Sequence, residues 1–379
     1  MRITEVSAYP VWAGSRNFLF VVVGTDEGVW GVGEAGLTGR ELAVCGALDH
    51  LRPLLLGADP NRTEHLWQVL SRGGFFPAQR VLSAAIAAVD IALWDLKGKR
   101  LGVPVCDLLG GPVRDRVACY GHLPDAAVEA ADLVQAAARL REEGWRYIRW
   151  ALPTGDGAFE PGPAVRAAVA QAAALREAFG DDLELLLDAH TRLDPPDATW
   201  LCRALEPLRP FFVEDPLRAE HPASYQTLRA RTAVPLAAGE QLCSKWEFRE
   251  LIERELVDYL RLDLCIAGGF TEAAKIAAAA ETHQLRLAPH NPLGPVATAA
   301  TLQFSLACPG VVVQEQPTRP GTILTDVIPV QPRWEDGHLL PPGGPGLGVE
   351  FDRDAAARHP PRWTEPPHLR RRDGSFTNW

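Results

Sequence analysis

The sequence predicts an α/β barrel of (β/α)7β type, with a separate α+β module in front of it and a tail behind. Two observations carry this. Between residues 116 and 319, eight short apolar runs alternate with seven amphipathic stretches, the rhythm of parallel strands covered on their outer side by helices. Eight such units within about 200 residues are the content of a closed barrel rather than of an open sheet.

Residues 1–50 alternate as an antiparallel meander, "ITEVSAYPVW" followed by "FLFVVVGTDEGVWGVGEAG", with "TDEG" as a hairpin turn. Helical patterns follow over 40–56 and 62–71. A longer helix, "AQRVLSAAIAAVDIALWDLKGKRLG", stops at Gly102-Val103-Pro104. Asp90, Asp95 and Lys97 lie along it and read as a structural polar network or a solvated face. The barrel strands are "VACYG", "RYIRWA", "LELLLDA", "PFFVED", "VPLAAGE", "DYLRLD", "LRLAPH" and "GVVVQE". Between them run predicted helices over 125–142, 161–179, 197–206, 222–231, 245–255, 268–283 and 295–307. The division is therefore 1–115 for the first module, 116–319 for the barrel and 320–379 for the tail. The tail is rich in Pro, Gly and charge and is expected to fold back onto the first module. No Gly-rich phosphate loop, nucleophile elbow or further repeat is present in the sequence.

The chain has 379 residues, 47% hydrophobic and 23% charged, with a formal net charge of −10. That balance disfavours nucleic acid and anionic membrane as partners, because both need a cationic face. A small anion is still accessible if a metal or local Arg and Lys reverse the sign in one pocket. Seven cysteines without CxxC spacing read as reduced thiols in a cytoplasmic protein. No signal pattern opens the chain, and no stretch is long enough to cross a bilayer.

Polar residues at the C-terminal ends of barrel strands converge on one mouth. Those ends carry His122, Arg149, Asp188 with His190, Glu214 with Asp215, Glu240, Asp263, His290 and Glu315. Asp188, Glu214 and Glu240 close three consecutive strands, and each is 26 residues from the next, one βα unit. Three carboxylates brought that close repel one another unless a cation lies between them. Hard oxygen ligands without Cys or His suit Mg2+, one per site, with positions left for water and substrate.

These segments resemble the enolase superfamily, and within it the mandelate racemase subgroup, over nearly the whole chain. "LDAHTR", "FFVEDP" and "LAAGEQ" resemble its three metal-ligand strands. "ALWDLKGKRLGVPVCDLLGG" resembles its link from cap to barrel. "LRLDLCIAGGFTEAAKIAAAAE" and "LAPHNPLGP" resemble its sixth and seventh barrel strands, and "RRRDGSFTNW" the tail of its acid-sugar dehydratases. The resemblance implies a modified TIM barrel, (β/α)7β, with an α+β capping domain completed by the C-terminal segment. It implies Asp188, Glu214 and Glu240 as Mg2+ ligands, and a dyad of Asp263 with His290 as general base. Elementary chemistry agrees. A proton alpha to a carboxylate is barely acidic, so an imidazole held by a carboxylate and a nearby cation are both needed.

Superfamily racemases and lactonizing enzymes resemble one another in a Lys-x-Lys on the second barrel strand. This chain has "YIRWALP", with Arg149 near the first position and Ala151 near the second. A guanidinium holds a carboxylate but is a poor base, which disfavours two-base racemization and lactonization and leaves β-elimination of water. His190 resembles the general acid of galactonate dehydratases, although "DAHTR" and "YGH" also resemble mannonate dehydratase. The expected reaction is C2 deprotonation of an aldonate, galactonate-like first, and loss of the C3 hydroxyl to give a 2-keto-3-deoxy acid. Glu315 is expected to hydrogen-bond a substrate carboxylate oxygen or the enediolate, with Arg149 and His122 as further substrate contacts. The 12–18 loop, with Arg16 and Asn17, and a segment near "EAGLTGR" are expected to choose the sugar. Two alternatives stay open: a 2-hydroxy-acid racemase or epimerase, and a weakly active sugar-acid-binding regulatory homologue. Members of such a family are usually homo-oligomers.

Overall fold

The computed structural model describes residues 1–124, 129–154, 157–366 and 368–377. Three antiparallel strands open the chain, β1 (Ile3–Trp12), β2 (Asn17–Thr25) and β3 (Trp30–Ala35), in the order β1-β2-β3. The "TDEG" turn closes with Gly28 N–H donating to the Thr25 carbonyl at 3.1 Å. Helices α1 (Glu41–Leu55) and α2 (Thr63–Arg72) follow. α3 (Arg80–Leu101) is buried over most of its circumference. Such a helix needs apolar neighbours all round, and it has them because it lies between the three-stranded sheet and the barrel. β3 comes close enough to α3 that a Cβ at Gly31 or Gly33 would lie 2.0 Å from the carbonyl of Ala92 or Ala88. The alternation in "WGVGEA" therefore sets one Gly face against the Ala-rich helix.

The polar residues of α3 are structural. Asp95 accepts from Val32 N–H, Leu347 N–H and Lys99 Nζ, tying β3 and the tail to the helix. Lys97 rests over Trp94 at 5.5 Å. Asp90 accepts from the Thr271 amide at 3.0 Å and its hydroxyl at 2.6 Å. Burial pushes its carboxyl up from 3.8 to about 7, with the Thr271 hydrogen bonds opposing. The folded chain then holds this proton more tightly than the unfolded one. Its stabilising contribution is complete below about pH 4 and is lost as the pH rises through about 7. Relative to the wild type, Asp90→Asn should gain about 1–3 kcal/mol between pH 4.5 and 7.5 in urea unfolding. A difference that does not vary with pH would mean that Asp90 is ionised throughout in the folded protein.

After the short α4 (Val105–Leu108) the barrel begins. Its elements are β4 (Val117–His122), α5 (Ala130–Glu142), β5 (Tyr147–Ala151), α6 (Pro161–Phe179), β6 (Glu184–Asp188), α7 (Pro195–Leu205), β7 (Phe212–Glu214) and α8 (Ser224–Arg229). Then come β8 (Leu236–Ala238), α9 (Lys245–Glu253), β9 (Tyr259–Leu260), α10 (Gly269–Thr282), β10 (Arg286–Leu287), α11 (Pro295–Ala307) and β11 (Gln314–Glu315). Residues 125–128, where the α5 pattern was expected to begin, lie outside the described residues. Parallel pairing runs from β4 through β10. β11 pairs with β4, and Leu287 bridges Val311, so the ring closes. Several ladders are shorter than the apolar runs that predicted them.

Side chains two apart share a face in a strand, and the barrel interior follows this in layers. Tyr120, Leu186, Phe212, Ala237, Ala288 and Val313 make an apolar floor. The residue two further along on five of these strands is His122, Asp188, Glu214, His290 or Glu315, at the mouth.

The tail is attached at several places along the chain. The hairpin of β12 (Trp334–Glu335) and β13 (His338–Leu339) adds antiparallel to the start of β4. Helix α12 (Arg353–Ala357) lies against β1, with Arg353 paired to Glu5 at 2.9 Å. Arg370 bridges Ala158 beyond β5. Among the described residues no helix is long and apolar enough to cross a membrane.

Candidate active site

The register of the parallel strands places the acidic residues side by side. Asp188 on β6 pairs with Glu214 on β7, and Glu240 follows two residues after the end of β8. The three offer carboxylate oxygens that all lie within 4.8 Å of one another. Glu214 Oε2 is buried without a hydrogen-bond partner among the described residues. An orphaned carboxylate oxygen in such a cluster fits a cation, since leaving it unmatched is costly. The donor set is all oxygen, which suits a hard divalent ion. Burial, with the charges of Asp188, Glu240 and Glu315, holds Glu214 well above the usual carboxylate range against the opposing Arg261.

The chain turns sharply after Asp188. His190 and Thr191 take φ of +48° and +57°, uncommon for residues with a Cβ. The turn is held by His190 N–H donating to Asp188 Oδ1 and Thr191 N–H donating to the Asp215 carbonyl, both at 2.7 Å. It folds the His190 ring back over its own strand, with Nε2 2.9 Å from Asp188 Oδ2 and 2.6 Å from Arg149 Nη2. Arg149, expected to contact the substrate, donates to Asp188. The β5–β6 register explains why: Ala151 stands beside Asp188, so Arg149 sits one step lower and reaches the neighbouring acid. Although burial opposes it, His190 and Arg149 hold Asp188 well below the usual carboxylate range.

Across the barrel, His290 Nδ1 is 2.8 Å from Asp263 Oδ2, and Asp263 Oδ1 accepts from Cys265 N–H at 2.7 Å. This fixes the ring so that Nε2 faces the acidic cluster, 3.4 Å from Glu240 Oε2. Burial works against the charged imidazole. Glu240, Glu315 and the Asp263 hydrogen bond outweigh it and push His290 up to about 10. Neutralising Glu240 removes the largest of these contributions and returns the ring towards the range in which it accepts a proton.

Glu315 is anchored on three sides. His122 Nε2 is 2.8 Å from one oxygen; Arg261 Nη2 and Asn291 N–H reach the other at 2.5 and 3.0 Å. Arg16 Nη1 donates to the Pro292 carbonyl at 3.2 Å, so its loop touches the segment after His290. Asn17 was expected to bind sugar hydroxyls. It is buried, and its amide both donates to and accepts from the Arg362 backbone, at 2.7 and 2.9 Å, so it clamps β2 to the tail. A residue that opens a buried strand beside a returning tail finds backbone partners before it finds solvent.

The residue that reasoning from sequence missed is Arg261. It is fully buried and donates to Glu214, to Glu315, to the Tyr120 hydroxyl and to the Ala288 carbonyl. Its signal was present: in "DYLRLD" it precedes Asp263 by two, which puts it on the same face, one layer below the mouth. A charged residue at that depth requires partners.

The comparisons with known proteins agree with this geometry. Residues 132–355 match the family described as enolase C-terminal domain-like. Residues 11–110 match the mandelate racemase / muconate lactonizing enzyme N-terminal domain. The chain is 41% identical to the D-galactonate dehydratase of Ralstonia nicotianae, over all of both chains. It is 42% identical to that of Variovorax paradoxus, again over both full lengths. A crystal structure of an enolase from Pantoea ananatis with bound D-gluconate and Mg superposes with a TM-score of 0.92 at 32% identity, covering 99% of each chain. The chain belongs to the enolase superfamily, in its mandelate racemase / muconate lactonizing enzyme group.

Proposed function

We propose that the protein is an Mg2+-dependent acid-sugar dehydratase that acts on a galactonate-like aldonate. The observation that carries this is the pair of opposed imidazoles. His190 follows the third barrel strand and His290 the seventh, on opposite sides of an eight-stranded ring, with the carboxylate cluster between them. Asp188, Glu214 and Glu240 would hold the ion, which when bound offsets the second negative charge that builds on the substrate carboxylate.

The chain's own groups do the rest. His290 Nε2, steered by Asp263 on Nδ1, takes the C2 proton and leaves an enediolate. The electron pair then forms the C2–C3 double bond as the C3 hydroxyl departs, protonated from His190, as water. The resulting enol tautomerises to the 2-keto-3-deoxy acid. Asp263 stabilises the imidazolium, and Glu315, fixed by His122 and Arg261, lies within 4.0 Å of His290 at the same mouth. The names of the full-length relatives and the gluconate in a structural neighbour support an aldonate as substrate.

A panel of aldonates, assayed for 2-keto-3-deoxy product, tests the proposal. Turnover is expected to be highest on a galactonate-like acid and to vanish with EDTA, returning with Mg2+. Absence of product from every aldonate with Mg2+ present would sink the proposal. Inversion at C2 without loss of water would favour an epimerase.

A further inference from the structure

The cap segment near "EAGLTGR" is expected to help choose the sugar. Its first three residues, Glu34 to Gly36, touch the chain on both sides of the His290–Asp263 pair. Glu34, at the end of β3, is fully buried, and both its oxygens are occupied by the start of α11. Gly294 N–H donates to Oε1 at 2.6 Å and Ala297 N–H to Oε2 at 2.8 Å. α11 has no side-chain cap of its own: its N-cap is Gly294 and its first residue is Pro295, which has no N–H to offer. Glu34 thus caps, from 260 residues away, a helix that begins five residues after His290. A Cβ at Gly294 would lie 2.6 Å from the Glu34 carboxylate, which accounts for the glycine in "NPLGP". Two residues on, Gly36 N–H donates to the Cys265 carbonyl at 3.0 Å, and Cys265 N–H donates to Asp263.

We infer that Glu34–Gly36 is a clamp from the cap that sets the His290–Asp263 geometry, with Glu34 as a positioning residue for the base. The His290–Gly294 loop is tied at one end by Asp263 and Glu315 and at the other by Glu34. Gly36 holds the loop that carries Asp263. One three-residue piece of the cap therefore spans both halves of the dyad, and the angle at which the base meets C2 depends on how the cap docks. Misplacement of a catalytic group by about 1 Å costs up to about a hundredfold in rate.

The inference rests on His290 being the base of the proposed dehydratase. Its test uses Glu34→Gln, which replaces one acceptor oxygen by an amide donor, and Gly294→Ala, which pushes the loop from the other side. Asp90→Asn, whose contact ties the cap to α10, is the reference. In folded protein at 25 °C, kcat should fall at least about tenfold in both test variants. KM for the best aldonate should change by less than about threefold, and exchange of the C2 proton should slow in proportion to kcat. Asp90→Asn should keep kcat within about twofold. By hydrogen exchange, the amides of Gly294, Ala297 and Cys265 should lose protection in Glu34→Gln. Wild-type kcat in both test variants, or unchanged protection of those amides, overturns the clamp. A wild-type enzyme inert on every aldonate would instead defeat the dehydratase reading, and amide protection would then decide the clamp by itself.

Discussion

Replacing His290 by Asn is expected to lower turnover of the best aldonate by roughly a thousandfold and to stop exchange of its C2 proton with D2O. The expectation follows from geometry. Nδ1 of His290 is committed to Asp263, so Nε2 is the atom that faces the carboxylate cluster. An Asn side chain keeps approximately the volume and can still meet Asp263, but it has no basic nitrogen. His190→Asn should behave differently. It removes the proposed proton donor for the leaving hydroxyl and keeps the proposed base, so C2 exchange should persist while dehydration drops by roughly a hundredfold or more. Proton NMR of the C2 signal in D2O, read beside product formation, separates the two. Exchange retained in His290→Asn, or lost together with dehydration in His190→Asn, would reverse the assigned roles.

Much of this site was legible in the sequence because a barrel turns spacing into geometry. Asp188, Glu214 and Glu240 recur at one βα unit, and strands paired in register must bring such residues together. Asp263 and His290 end neighbouring strands, so their contact follows in the same way. The side chains that went unread depend on depth and on long-range neighbours. Arg261 is distinguished from a surface arginine only by the layer in which it lies, and that layer is set by the closure of the ring. Asn17 takes its partners from Arg362 and Glu34 from Gly294, each beyond any local pattern. Arg149 meets Asp188 through the β5–β6 register, a contact set by the neighbouring strand and not by its own segment.

Arg261 also carries the largest expected effect on folding. Its guanidinium lies beneath the mouth between Glu214 and Glu315, and none of the three is more than about 3% exposed. With Arg261→Met the two carboxylates face each other across an apolar floor with the balancing charge gone. Breaking a buried charge pair on one side typically costs about 3–5 kcal/mol. The variant should therefore unfold at markedly lower urea, and part of the deficit should be recovered at low pH, where the acids can protonate. Arg261→Lys keeps the charge but not the fork. An ammonium that keeps the contacts to Glu315, Tyr120 and the Ala288 carbonyl gives up the one to Glu214. That protein should fold, and the loss should surface at the carboxylate cluster proposed to hold Mg2+. With Glu214 no longer held through one oxygen, its unpartnered oxygen is not aimed at the cluster, and Mg2+ affinity by calorimetry should weaken by about 10–100-fold. Wild-type Mg2+ affinity in Arg261→Lys would show that Glu214 is placed by its strand alone. Wild-type stability in Arg261→Met would show that the two acids share a proton rather than needing a cation beneath them.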